Sequence, residues 1–200
     1  MAWKSKIGHK IFRHWLICLA VAFCAAWQAH AAEEEDRFTV QTAYTELIDG
    51  VYYLNADIEY GLSEEALTAL RNSVPLTIVL EIEIIRDRRF FFNNSIAELE
   101  QSYQISFHPL SGRYVVKNLN SGEIESYVNY RTAIARLGQV TELPIFEETL
   151  MEEDANYLVR MRAILDLKQY KAPLRLFASL FSDWKLSSDY YEWTLRSSNE

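Results

Sequence analysis

The run "PLTIVLEIEIIRDRR", Pro75 to Arg89, decides the fold class. Leu76, Ile78, Leu80, Ile82 and Ile84 recur at every second position, with Thr77, Glu81 and Glu83 between them. Successive side chains of a strand point to opposite faces, so this period of two predicts a strand with its aliphatic face in a core and its glutamates toward water. The branched residues favour a pleated, packed surface, which places the strand near the centre of a sheet.

Upstream, "FTVQTAYTELIDGVYYLNADIEY" reads as two strands joined at Asp49-Gly50, a strong hairpin signal because such a turn needs positive φ. Tyr52, Leu54, Ala56, Ile58 and Tyr60 share one face of the second arm, and Asn55, Asp57 and Glu59 the other. "LSEEALTALRN" then changes to helical spacing, with Ser63 as N-cap, Glu64 and Glu65 in the first turn, and Leu67 and Leu70 inward. Pro75 ends that helix.

Downstream, "IAELEQSYQISFH" alternates again, grouping Leu99, Tyr103, Ile105 and Phe107 against Glu98, Glu100, Ser102 and Gln104. Turns at "HPLSGR" and "NLNSGE" bracket the short strand "YVVKN", and "EIESYV" continues the meander. "NYRTAIARLGQ" predicts a second short helix with Ile134 and Leu137 inward and Gly138 as a left-handed cap. "TELPIFEETLMEEDAN" shows the least regular pattern and is expected to wrap a sheet edge. "NYLVRMRAILDL" returns to alternation with Arg160 and Arg162 outward, and "YYEWTL" supplies a final strand. Together these elements predict a β-dominated α+β domain: a mainly antiparallel sheet or sandwich of about eight strands with two or three short helices.

The N-terminus predicts a destination. Lys4, Lys6, Lys10 and Arg13 precede the apolar stretch Trp15–Trp27, and Ala29-His30-Ala31 supplies the small residues of a cleavage site. The 13 apolar residues fall short of the ~20 a helix needs to cross a bilayer, and "EEED" follows from Glu33. The expectation is a signal peptide over residues 1–31 and a single β-rich, periplasmic domain over 32–200. An uncleaved inner-membrane anchor is the alternative and puts the domain on the same side. Cys24 follows Phe23 rather than a small residue, so no lipid anchor is expected.

Export also removes chemistry. Cys18 and Cys24 leave with the first 31 residues, as do three of the four histidines and four of the 20 basic residues. What remains carries 16 basic against 28 acidic residues, a net charge of −12. Such a field repels nucleic acid, and no nucleic-acid partner is expected. One histidine, His108, and no cysteine fall short of a zinc site or a nucleophile–base pair, so no cofactor, no metal and no catalytic residue is assigned. Glu147, Glu148, Glu152, Glu153 and Asp154 read as a solvated acidic loop, because their spacing lacks the frame of a calcium loop. The closing aromatics Trp184, Tyr190, Tyr191 and Trp193 fit core spacing and, as a second reading, sugar stacking.

One run is unusual. In "RDRRFFFNN", Arg86, Arg88 and Arg89 meet Phe90, Phe91 and Phe92, and in a strand consecutive phenylalanines point both ways. These six residues form the candidate interaction patch.

The stretches "YLNADIEYGLSEEALTALRNSVPLTIVLEIEIIRDRRFF" from Tyr53, "SFHPLSGRYVV" from Ser106 and "LDLKQYKAPLRLFASLFSDWKLSSDYYEWTL" from Leu165 resemble the proteobacterial domain-of-unknown-function family 4390. The similarity covers essentially all of the chain after the signal. Its most specific parts are "LNADIEYGLSEEAL", "FHPLSGRY", "PLRLF" and "DWKLSS". Members often carry glycine just before the valine-proline pair, where this chain has Ser73, so a slight difference in that turn is expected. The resemblance implies an exported or envelope-associated protein without an assigned activity, often encoded beside a sensor-kinase and response-regulator pair. The segment after Pro173, with Leu174, Leu176, Phe177, Leu180 and Phe181, suits a short amphipathic helix closing the interior. The resulting expectation is a non-enzymatic interaction domain with an envelope or sensor protein as partner. The rivals are a small-ligand or glycan-binding module and a hydrolase using acids alone.

Overall fold

The computed structural model describes residues 37–87, 94–152, 155–167 and 186–195. All of them fall within one compact unit, Asp36–Glu200. The expected signal peptide, the closing helix after Pro173, Trp184 and residues 88–92 of the candidate patch lie outside the described residues.

The chain runs through β1 (Phe38–Ile48), β2 (Val51–Tyr60), α1 (Glu64–Arg71), β3 (Leu76–Asp87), β4 (Asn94–His108), β5 (Arg113–Asn118), β6 (Ile124–Tyr127), α2 (Tyr130–Leu137), β7 (Gln139–Glu147), a single 3₁₀ turn at Glu148–Leu150, β8 (Asn156–Leu165) and β9 (Tyr191–Leu195). Among the described residues these nine strands form two antiparallel sheets, ordered β1-β2-β7 and β6-β5-β4-β3-β8-β9. The first hairpin closes at Asp49 and Gly50, whose φ values of 50° and 77° give the left-handed pair that a two-residue turn needs.

β3 sits inside the larger sheet between β4 and β8, and all five of its alternating aliphatic side chains, Leu76 to Ile84, are fully buried. Truncating any of them to alanine removes about 2–5 kcal/mol, a large share of the ~5–15 kcal/mol that holds a domain together. The core they enter is shared by both sheets: Phe38, Leu54 and Ile58 of the smaller sheet join Ile105, Val159 and Met161 of the larger. Phe146 of β7 faces Tyr157 of β8 with ring centroids 6.4 Å apart, and the Trp193 indole N–H on β9 donates to Thr45 Oγ1 on β1 at 3.2 Å.

Both helices start as their sequences dictate. Ser63 Oγ accepts the Ala66 N–H at 3.2 Å, and Asn129 Oδ1 accepts the Thr132 N–H at 2.8 Å, each satisfying an orphan donor of a first turn. Their ends differ from expectation. Gly138 is not a left-handed cap, since its φ is −70°; glycine is required there because a Cβ would stand 2.1 Å from the Ile58 carbonyl oxygen. The gap is that narrow because the Gly138 carbonyl accepts the Ile58 N–H at 2.9 Å, docking α2 on β2. The left-handed cap belongs instead to α1. Ser73, with φ 64°, donates its N–H to Leu70 O at 3.0 Å while Val74 N–H reaches Ala69 O at 2.9 Å, the double closure of a Schellman motif. Serine thus holds here the conformation that favours glycine, so the departure at Ser73 lies in residue type and not in a glycine-incompatible turn.

The stretch from Thr141 is also more regular than its sequence suggests. Its first part belongs to β7, which pairs with β2 through two irregularities, between Tyr52 and Tyr53 and between Leu54 and Ala56. Those bulges, with Pro144 inside the strand, break the alternation that period-two reading depends on.

Candidate functional site

Three strands cannot cover six. The β1 side of the smaller sheet lies over β8 and β9, while α2 packs against β5 and β6. Between these two covers a cleft of about 190 Å³ remains, with Gln139–Pro144 of β7 along one wall. β7 ends the smaller sheet, and no other described strand pairs with its outer edge.

The opposite wall comes from β4 and β5. Tyr103 lies on the inward face of β4 as its alternation predicts, and Gln101, on that same face, is buried. The Gln101 amide donates to Asn118 Oδ1 at 2.8 Å. That oxygen also receives the N–H groups of Asn120 at 2.9 Å and Ser121 at 3.0 Å, so one side chain shapes the turn that carries Glu123 to the rim. Burial pushes the Tyr103 phenol up from its ordinary value, and the Gln101 hydrogen bond and the Arg136 guanidinium partly oppose this. Behind it, the Tyr60 hydroxyl is buried with no hydrogen-bond partner among the described residues. Burial pushes that phenol up as well, and the nearby Tyr103 phenol adds to the effect.

Arg136 of α2 spans the cleft mouth. Its guanidinium donates to the Gln139 carbonyl at 3.1 Å and pairs with Glu125 at 3.4 Å. Glu125 also accepts the Tyr127 hydroxyl. Glu123 accepts the Ser121 hydroxyl at 3.2 Å, whereas the Glu142 carboxylate makes no hydrogen bond or ion pair among the described residues. Glu142 stands in a left-handed conformation, φ 49°, and its N–H is caught by Asn55 Oδ1 at 3.1 Å, which holds the bulge and its carboxylate at the cleft. Three glutamates and one arginine therefore line the site. Glu123, Glu125, Glu142 and Arg136 escaped sequence reasoning because they come from a turn, an edge strand, a bulge and a helix that only the fold brings together.

The residues singled out by sequence lie elsewhere. Arg86 of the candidate patch is ion-paired with Glu152 beyond β7. The Glu152 N–H donates to the Tyr157 hydroxyl at 2.9 Å, so the described part of the acidic stretch is tied down at this end. His108 is exposed at the end of β4, where its carbonyl accepts the N–H groups of Ser111 and Gly112. Tyr190 lies against two guanidinium groups, Arg160 and Arg162, each 4.7 Å from its ring centre, on the outer face of the larger sheet. Among the described residues no three His, Cys, Asp or Glu side chains converge on a point suited to a metal ion, and no helix is long and apolar enough to cross a membrane.

These features define an antiparallel two-sheet β domain with an acidic cleft beside β7, the end strand of its smaller sheet among the described residues. Residues 35–194 match the family described as domain of unknown function (DUF4390), and the chain belongs to that family. No curated protein and no solved structure matches it.

Proposed function

We propose that the chain is an exported, non-enzymatic interaction domain that serves envelope signalling or maintenance by binding a sensor protein or another envelope protein. Export is supported by the basic and apolar segments ahead of Ala31 and by the small residues Ala29 and Ala31 of a cleavage site. A sensor-kinase connection is supported by the resemblance described above. The observation that carries a binding role is the cleft, where a strand edge open to further pairing borders a lined hollow. A binding role is favoured over a reaction because Glu125 is held by Arg136 and Tyr127, and His108 stands on a hairpin outside the cleft. The run from Arg86 to Phe92 is a second contact region.

The test uses the tagged full-length chain in intact cells. Fractionation and N-terminal sequencing are expected to give a periplasmic product starting at Ala32, and in-cell crosslinking is expected to capture an identified envelope protein. Comparison with Phe91→Asp shows whether the partner is lost while the fold persists. A cytosolic chain with its N-terminus intact, or a purified chain that turns over a substrate and crosslinks to nothing, overturns the reading.

A further inference from the structure

We infer that the outer edge of β7 receives an extended, basic peptide segment as a further strand, with a lysine or arginine side chain entering the cleft between Glu123 and Glu142. The inference rests on the reading of the chain as an interaction domain and names the chemistry of its partner.

An edge strand presents a row of backbone donors and acceptors that another extended chain satisfies. Among the described strands β7 is such an edge, and its wall of the cleft runs over Gln139–Pro144. Pro144 removes one donor, and the bulge at Glu142 interrupts the ladder, so the stretch able to pair is short. Backbone bonds over so short a stretch give little selectivity, and the cleft beside it supplies the rest. Its lining sums to three negative groups against one positive. Arg136 is already engaged by Glu125 and the Gln139 carbonyl, which leaves Glu123 and Glu142 to face an incoming cation. Val116, Leu137 and Val140 contribute an apolar base on which the methylene stem of a lysine or arginine rests.

Charge also decides against the nearest competitor, a second copy of this chain. Two acidic edges brought together repel, and the whole chain is acidic, with 28 Asp and Glu against 20 Lys and Arg. The same field accelerates the approach of a basic segment.

The probe is a fluorescein-labelled nine-residue peptide alternating lysine with valine, set against its glutamate–valine counterpart and titrated into the full-length chain. The lysine peptide is expected to raise anisotropy, to slow amide exchange within residues 139–147, and to bind at least tenfold more weakly to the double variant Glu123→Lys, Glu142→Lys. Glu142→Gln, which keeps size and fold, is expected to weaken it by a smaller factor. Equal binding of both peptides, binding unchanged in the variants, protection elsewhere, β7-mediated self-association or no binding each overturn the inference. If the lysine peptide fails while in-cell crosslinking still captures an envelope protein, the interaction reading stands and this mode falls.

Discussion

Arg160 on β8 lies directly opposite Glu83 on β3, and its Nε and Nη2 both donate to the same carboxylate oxygen, at 3.0 and 2.7 Å. Two residues along the strands Arg162 stands opposite Glu81 and its Nε donates to that carboxylate at 2.6 Å, and Tyr190 lies against both guanidinium groups. On the other side of β3, Glu83 stands opposite Glu98 and Glu81 opposite Glu100. Beyond β8, Glu192 on β9 stands opposite Arg160. Two arginines thus serve five glutamates on the outer face of the larger sheet.

That imbalance sets an asymmetry. Glu83→Ala removes one negative charge from a crowded face, whereas Arg160→Ala leaves Glu83 facing Glu98 without its counter-ion. A double-mutant cycle on the pair is expected to give a coupling of about 0.5–1 kcal/mol, since both groups are partly exposed. Arg160→Ala is expected to cost more than Glu83→Ala, and 0.5 M salt is expected to narrow the difference. Urea denaturation measures both; equal costs at low salt would contradict the repulsion argument.

Ser73 pays for a glycine-type conformation at the end of α1. A left-handed backbone costs a residue with a side chain about 1–2 kcal/mol, and the greater freedom of glycine in the unfolded chain gives back part of the gain. Ser73→Gly is therefore expected to stabilise the protein by about 0.5–1 kcal/mol, read as a higher thermal midpoint. A lower midpoint would show that the serine side chain contributes something the cap geometry does not reveal.

Gly138 predicts the opposite sign for its own reason. A methyl group there meets the Ile58 carbonyl at 2.1 Å, so Gly138→Ala must push α2 away from β2 or strain one of them. The expected cost is about 3 kcal/mol. Since α2 forms part of the cleft, hydrogen exchange is expected to quicken first at Ile58 and along Arg136–Val140.

One buried and one half-buried phenol give a pH signature. Tyr60 and Tyr103 both ionise less readily in the folded chain than a free tyrosine, whose value is about 10. Below that pH they are neutral whether folded or not, and their neutral burial is fully in place. Above it the unfolded chain sheds protons that the folded chain keeps, so stability falls as pH rises. Urea midpoints are expected to hold to about pH 10 and then decline. Tyr60→Phe makes that decline shallower, and by deleting a hydroxyl buried with no partner among the described residues it is expected to add about 1 kcal/mol at pH 7. A loss of stability at pH 7 would mean that the hydroxyl has a partner after all.

The sequence disclosed the fold wherever period and burial coincide. The alternation of Leu76 to Ile84 and the turn at Asp49-Gly50 carry their own geometry, and the cap at Ser63 is local chemistry. β7 was hidden because its two bulges and Pro144 scramble the period. The cleft was hidden for a different reason. Gln101 and Glu142 are far apart in the chain and unremarkable singly, and they share a site only because a three-strand sheet leaves part of a six-strand sheet to α2. Gly138 reads in the sequence as a left-handed cap, whereas the structure uses it for close approach of two backbones, which leaves no mark in a single sequence.

The pairing of β3 with β8 carries a consequence for biogenesis. Ile78 meets Leu165, 87 positions later (165 − 78), and the pair cannot form until that much more polypeptide has been delivered. A chain that emerges N-terminus first thus exposes its greasiest ribbon early, able to zip to the β4 hairpin yet bare along the other flank. Such a nascent chain is vulnerable to mispairing with its neighbours. Its yield is therefore expected to depend on how long that flank waits as well as on the final stability of the domain.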